Sequence, residues 1–255
     1  MIPIEIKTKQ EIEIMKEGGQ RLAEVMKETL VLVKPGLALF QINQKIEELI
    51  LKKGGKPSFK MVPGYHWASC LNVNQGVVHG IPGDYRLKEN DFLSLDIGLF
   101  FKGFHTDMSW TIKVSKGKSK GQVDEFLKVG ERALKKAIEA ARVGHHVGHL
   151  SQAMEKEIRK AGFSPIEVFT GHGVGRKLHE APPIPCLLWG SIKSTPRLEA
   201  GMTLAVEVIY AQGSPEVVLA ADNWTIKTAD NQLAGLFEET IAIQAGKPLI
   251  LTACH

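Results

Sequence analysis

No stretch of the 255-residue sequence approaches the roughly 18 consecutive apolar residues that a membrane span requires. The opening residues, MIPIEIKTKQ, lack an apolar signal region and the character of a transit peptide. Cysteine is scarce: Cys70, Cys186 and Cys254 are far apart and odd in number, which excludes a disulfide framework and suits a reducing compartment. Neither sign of charge dominates, since 32 Lys and Arg against 28 Asp and Glu leave a net +4 spread along the chain, with no basic stripe of the kind nucleic-acid binders carry. Pro/Gly/Ser-rich linkers and low-complexity tracts are also missing, so the expectation is one domain spanning residues 1–255. What is left is a soluble, cytoplasmic chain whose 44% hydrophobic content supports a sizeable core.

Hydrophobic spacing then divides the chain. Thr8 and Glu11 have capping-box spacing, and Ile12, Met15, Leu22, Ala23, Met26 and Leu30 recur at helical intervals up to Lys34-Pro35-Gly36. Phe40, Ile42, Ile46, Leu49 and Ile50 predict a second helix ended by Gly54-Gly55, and residues 56–68 read as loop. Strand-like SCLNVN leads to NQGVVHGIPGDYRL, where His79 precedes a glycine and a proline turn. Further helices are predicted over about Gln122–Ala141 and around Leu150, Met154 and Ile158. Acid-bearing strands follow: TLAVEVIY with Glu207, NWTIKT, and LFEETIAI with Glu238. Two helix-rich stretches, each followed by strands that carry acids, predict two similar halves around one site.

The most informative stretch is LDIGLFFKGFHTDMSW, residues 95–110, in which two apolar runs meet at Lys102-Gly103. A two-residue turn there pairs Asp107 with Gly98 and puts Asp96 and Asp107 on one face of the ribbon, close enough to share an ion. A three-residue loop would put them on opposite faces. Aspartate is depleted in strands, and two buried carboxylates repel each other unless a cation joins them. The alternative is one solvent-facing Asp and one turn cap, and the ribbon alone weighs the two readings equally.

A second stretch, GHGVGRKLHEAPP at 171–183, frames His172 with glycines, which let backbone approach a ligand, and places His179 seven residues on. Asp96, Asp107, His172, Glu207 and Glu238 together make an oxygen-rich donor set. Such a set suits Mn, Fe(II), Co or Zn in a carboxylate-bridged pair better than a closed structural zinc site. Two ions about 3.5–4 Å apart would use all five and could hold a bridging hydroxide.

HGIP at 79–82, LDIG…GFHTD, GHGVG…HEAP, GMTLAVE at 201–207, and NWTIKT followed by FEET occur in one order along nearly the whole chain. In these motifs the sequence resembles the type I methionine aminopeptidases. The resemblance implies an α+β, pita-bread fold of two pseudo-symmetric halves, with a curved antiparallel sheet covered by helices. It implies a dinuclear, metal-dependent hydrolase that removes the initiator methionine of nascent chains when the second residue is small, by attack of a hydroxide that bridges two divalent ions. It further implies that Asp96 chelates one ion, that Asp107 and Glu238 bridge, and that His172 and Glu207 complete the second position, with Glu207 also the general base. His79 would contact the scissile amide nitrogen, and His179 would polarise the carbonyl. Tyr65, Cys70, Leu178 and Trp224, with His79 and His179, would line the substrate pocket, to which Val62 is a further candidate. Nascent polypeptide N-termini are the expected partners, with the ribosome surface as a possible site of action, and the expected state is a monomer.

Two positions depart from the family pattern: Val208 replaces a proline after the base, and Glu239 replaces a histidine after the bridging glutamate. Neither removes a ligand, but Glu239 adds a carboxylate expected near the metals, where it would tighten cation binding or shift the acidity of the bound water. Leu178 stands where an aromatic is common, which would widen the slot. The nearest alternatives are aminopeptidase P or prolidase, whose context around the second acid pair differs, and a non-catalytic binding module of the same fold, against which the intact ligand set counts. His145, His146 and His149 are expected in a solvated turn, and His66 and His105 as polar loop or strand residues. Lys113, Lys116, Lys118 and Lys120 form a basic patch that either contacts ribosomal RNA or lies on a solvated hairpin.

Overall fold

The computed structural model describes residues 3–115 and 124–253. The first half runs α1 (Lys9–Leu32), α2 (Leu39–Lys52), β1 (Lys56–Pro57), β2 (Ser69–Val73), β3 (Gly76–Val78), β4 (Phe92–Phe101) and β5 (Phe104–Lys113). The second runs α3 (Glu125–Ala140), α4 (Val147–Lys160), β6 (Ser164–Pro165), β7 (Thr170–Gly173), β8 (Glu180–Pro185), β9 (Thr203–Ala211), β10 (Val217–Leu219), β11 (Ile226–Thr228), β12 (Ala234–Ala242) and β13 (Leu249–Ile250). As the sequence predicts, α1 begins with a capping box in which the Thr8 and Glu11 side chains satisfy each other's backbone N–H groups. The stretch read as loop at 56–68 is more ordered than expected: β1 pairs with β4, and a 3₁₀ turn spans Phe59–Met61.

A ten-stranded antiparallel sheet has the central order β4-β5-β12-β9, so the two halves meet where β5 pairs with β12. Alternation gives this sheet two different faces. Leu93, Leu95, Ile97 and Leu99 of β4 pack under α1 and α2, while Leu204, Val206, Val208, Tyr210 and Phe237 of β9 and β12 pack under α3 and α4. The opposite face carries the polar residues and is partly roofed by the small β10-β11-β3 sheet, whose Val78, Val217 and Ile226 pack on Ile209 and Leu236. A space enclosed between two sheets results. The curved antiparallel sheet flanked by helices is the α+β, pita-bread arrangement expected above.

Close packing under the second helix pair is visible at Gly130, where a Cβ would lie 2.7 Å from the Tyr210 hydroxyl and closer still to the Phe237 ring. Alanine there would gain up to about 1 kcal/mol of helix propensity. It would also force α3 off the sheet. Gly130→Ala is therefore expected to destabilise the fold by about 1–3 kcal/mol in denaturant unfolding.

Among the described residues no helix is long and apolar enough to cross a membrane. Of the basic patch, Lys113 ends β5 with its ammonium 3.4 Å from Asp124, whereas Lys116, Lys118 and Lys120 lie outside the described residues, as does Cys254. The histidines near α4 are half-buried rather than solvated. The ring of His149 accepts a hydrogen bond from the backbone N–H of His146 at 3.0 Å and so caps the helix, and it stacks on His145.

Candidate metal centre

Register across the sheet assembles the acids. Lys102 and Gly103 have φ of 47° and 92°, the two left-handed residues that a type I′ turn demands, and Gly103 takes its value without strain. The two-residue turn pairs Gly98 with Asp107 and Asp96 with Ser109. Ser109 in turn faces Glu238, and Glu238 faces Glu207, so Asp96, Ser109, Glu238 and Glu207 form one row across four strands. Asp107 is one pleat along on the same face. The open question of register is thus settled in favour of the two aspartates sharing a face.

On the next strand His172 pairs with Ala205, two residues from Glu207, which brings the imidazole to the same face. Gly173 makes this approach possible, because any Cβ there would collide with the backbone of Ala181. The His172 Nδ1 lies 2.9 Å from the carbonyl oxygen of Gly173. A carbonyl only accepts, so Nδ1 carries the proton and Nε2 presents its lone pair, 3.3 Å from Glu207 Oε1. Two lone pairs facing each other at that distance repel unless a proton or a cation lies between them.

The acids are in the same position. Asp96, Asp107 and Glu238 are buried, and Asp107 Oδ1 and Glu238 Oε1 are enclosed without a hydrogen-bond partner. Burial pushes Asp96 up to about 7, opposed by a hydrogen bond with Cys70. Burial, and then the neighbouring Asp96 and Glu207 charges, hold Asp107 well above the carboxylate range; Glu207 and Glu238 are raised for the same reasons. Burial drives His172 down to about 3, helped by His179, so its imidazole is neutral. No lysine or arginine forms an ion pair with any of these acids among the described residues. Asp107, His172 and Glu238 each offer a ligand atom, all within 4.8 Å of one another, which makes them a candidate metal site. Orphaned carboxylate oxygens and an imidazole lone pair converging in a buried pocket are the donor set a divalent transition metal takes.

The centre forms the floor of a cavity of about 370 Å³. Asp96, Asp107, His172, Glu207 and Glu238 line it, together with His79, His179, Tyr65, Cys70, Leu178, Trp224 and Val62, so every candidate site residue reaches one space. Residues 13–245 match metallopeptidase family M24. The chain belongs to that family. It is 39% identical to methionine aminopeptidase 1 of Bacillus subtilis, over 93% of this chain and 94% of the relative. It is 36% identical to the methionine aminopeptidase of Clostridium perfringens, over 97% and 98%. A crystal structure of methionine aminopeptidase from Thermotoga maritima superposes with a TM-score of 0.92 at 36% identity, covering 98% of this chain and 99% of that one. The expected resemblance to the type I methionine aminopeptidases of M24 therefore holds along almost the whole chain.

Within that frame the departures have places. Val208 is fully buried under α3 and α4, on the helix side of the sheet. Glu239 is there too, because it alternates with Glu238, and so it does not lie among the candidate ligands as expected. Its charge is the smallest of the influences that raise Glu238. His66 is exposed, and His105 is buried with Nδ1 2.9 Å from Ser58 Oγ.

His79 has φ of 58°, an uncommon conformation for a residue with a side chain, held where the N–H of Gly80 donates to Asn72 Oδ1 at 2.8 Å. The His79 and His179 side chains are both exposed at the cavity, where partial desolvation lowers the pKa of each and His179 lowers that of His79 further. Phe59, Val168, Phe169 and Thr170 also line the cavity and escaped the sequence reading. Phe169 and Thr170 directly precede the GHG motif, the one local signal that would have found them.

The loop that bears His179 is tied to the N-terminal segment by a buried ion pair between Lys7 and Glu180, whose other oxygen accepts from the Lys177 N–H at 3.0 Å. Lys7→Met leaves a buried carboxylate unpaired and is expected to cost about 3–5 kcal/mol of stability by denaturant titration.

Proposed function

We propose that the protein removes the N-terminal methionine from nascent polypeptides and peptides, with a preference for small second residues, using two divalent ions held by Asp96, Asp107, His172, Glu207 and Glu238. The observation that carries this reading is the cluster of orphaned carboxylates in a cavity with an apolar wall, in a chain related along nearly its whole length to methionine aminopeptidases. When bound, the metal supplies an acidified water as nucleophile and an electrophilic contact for the scissile carbonyl.

The chain's own groups do the rest. Glu207 takes a proton from the nucleophile and returns it to the departing amine. His179, an exposed side chain at the cavity whose pKa partial desolvation lowers, donates its ring N–H to the carbonyl oxygen as charge develops there. His79 meets the scissile amide nitrogen. Phe59, Tyr65, Cys70 and Leu178 form a buried apolar cluster with Trp224 and Val62 packed against it. Tyr65 is locked by donating to the Ser69 carbonyl at 2.9 Å and by an edge contact with Trp224 at 5.1 Å. An apolar wall of this kind suits an unbranched, polarizable thioether and disfavours a charged side chain.

The single catalytic unit is proposed to act as a cytoplasmic monomer, with the ribosome surface as a site of action. Peptide competition tests the reading. Metal-loaded protein should release methionine from Met-Gly-Met-Met and leave Met-Leu peptides intact. Release only from Xaa-Pro peptides would assign it to the aminopeptidase P class instead.

A further inference from the structure

On the helix side of the sheet, behind the candidate metal centre, a second cavity of about 520 Å³ exceeds the first in size. Glu239 pairs with Met108, and Trp110 is two residues further along β5, so Glu239 and Trp110 are diagonal neighbours on one face and form its floor. Leu134 and Ile138 of α3 make one wall, and Pro248 and Ile250 make the other. The Trp110 indole is fixed by an edge contact with Phe237 at 5.1 Å.

Glu239 is only 7% exposed. One carboxylate oxygen accepts a hydrogen bond from the Thr252 hydroxyl, and no lysine, arginine or histidine forms an ion pair with it among the described residues. Three cations share the cavity, Lys135, Arg142 and Lys247, and two further acids, Glu131 and Glu139; all five are exposed, and none of the three cations is ion-paired with Glu239. Burial leaves this carboxyl without a cation to stabilise its ionised form, and an ammonium group within reach would supply one. The aromatic ring beside it favours the same ligand, since a cation over an indole face is attracted by the ring quadrupole. A metal ion does not suit the site, because no group of three ligand atoms converges there among the described residues.

We propose that this cavity binds a small amphipathic primary amine, with its ammonium on Glu239 and Trp110 and its apolar part between α3 and β13. The site is separate from the proposed peptidase chemistry, and it makes use of Glu239, which that chemistry leaves idle.

Phenethylamine and its neutral counterpart 2-phenylethanol are the probes, titrated into metal-loaded protein and followed by backbone amide NMR shifts. Phenethylamine should shift the amides of Leu134, Ile138, Glu239 and Ile250 saturably, and the alcohol should bind at least about tenfold more weakly, the difference expected of a charge-assisted hydrogen bond. Glu239→Gln keeps the side-chain shape and should weaken the amine about tenfold while leaving the alcohol unchanged. Ile250→Trp, which narrows the mouth without touching the buried carboxylate, should block both. Equal binding of amine and alcohol, full affinity in Glu239→Gln, or shifts confined to His79, Trp224 and the catalytic cavity would each overturn the proposal.

Discussion

Glu207→Gln is expected to lower peptide hydrolysis by about 10³-fold or more while the protein stays folded. Glutamine preserves the shape of the side chain in β9 and loses two functions at once: it cannot accept a proton from the nucleophile, and its amide is a poor ligand for a divalent ion. Unfolding of the metal-free protein is not the expected cause of the loss, because Glu207 there is a liability. Its carboxylate is half-buried, it faces an imidazole lone pair 3.3 Å away, and its charge raises the pKa of Asp107 and Glu238. Removing that charge relieves the cluster, so the metal-free variant should unfold at a temperature equal to or above that of the parent. Steady-state kinetics on metal-loaded protein, with thermal unfolding of the same samples, measures both. Activity within tenfold of the parent would remove Glu207 from the role of base.

The second large effect is on stability. Without metal, the protein is expected to lose stability as pH rises above about 6.5, and a divalent ion should reverse the trend. Asp96 is raised to about 7 and Glu239 to about 8, with Asp107, Glu207 and Glu238 also raised. A carboxyl whose folded pKa exceeds its unfolded value stabilises fully below the unfolded value, near 4, and loses that contribution as pH climbs through the folded one. The buried histidines oppose this only at lower pH. His172 and His105 are depressed to about 3 and 4, so folding gains from their neutral state as pH rises toward 6.5 and gains nothing further beyond it. Above 6.5 the carboxyls act alone. Metal binding requires the candidate ligands Asp96, Asp107, Glu207 and Glu238 ionised, so its affinity should increase over the same range. A site held at about a thousand times its dissociation constant adds about 4 kcal/mol. Thermal unfolding between pH 6 and 9, with and without Mn, reads both slopes. A metal-free stability that is flat or rises across that range would contradict the electrostatics described.

Much of the candidate metal centre was legible because strands impose a period of two. The Lys102-Gly103 turn left only one register open once its length was set, and from that register the shared face of Asp96 and Asp107 follows. The motif order along the chain brought in His172, Glu207 and Glu238. The same period shows why Glu239 belongs on the far face: a residue next to Glu238 in a strand cannot point the same way. Residues 56–68 resisted reading because their order comes from outside. Phe59 lies under Tyr65 and over Gly98 only once β1 has docked on β4, a contact with no local signature. The small β10-β11-β3 sheet is likewise a product of long-range pairing, and it roofs the space without which Val78 and Trp224 would line nothing. The half-buried histidines at α4 owe their burial to residues some fifty positions away, for His146 Nδ1 lies 2.7 Å from the Thr195 carbonyl.

The central claim is that the buried acid cluster becomes a peptidase by taking up metal. Metal-stripped protein titrated with Mn, Fe(II), Co or Zn, with methionine release from Met-Gly-Met-Met followed at each addition, tests it most directly. Release should be absent at the start, appear with the first equivalents and level off by two. Hydrolysis that persists without metal, or none with any of the four ions, would contradict it.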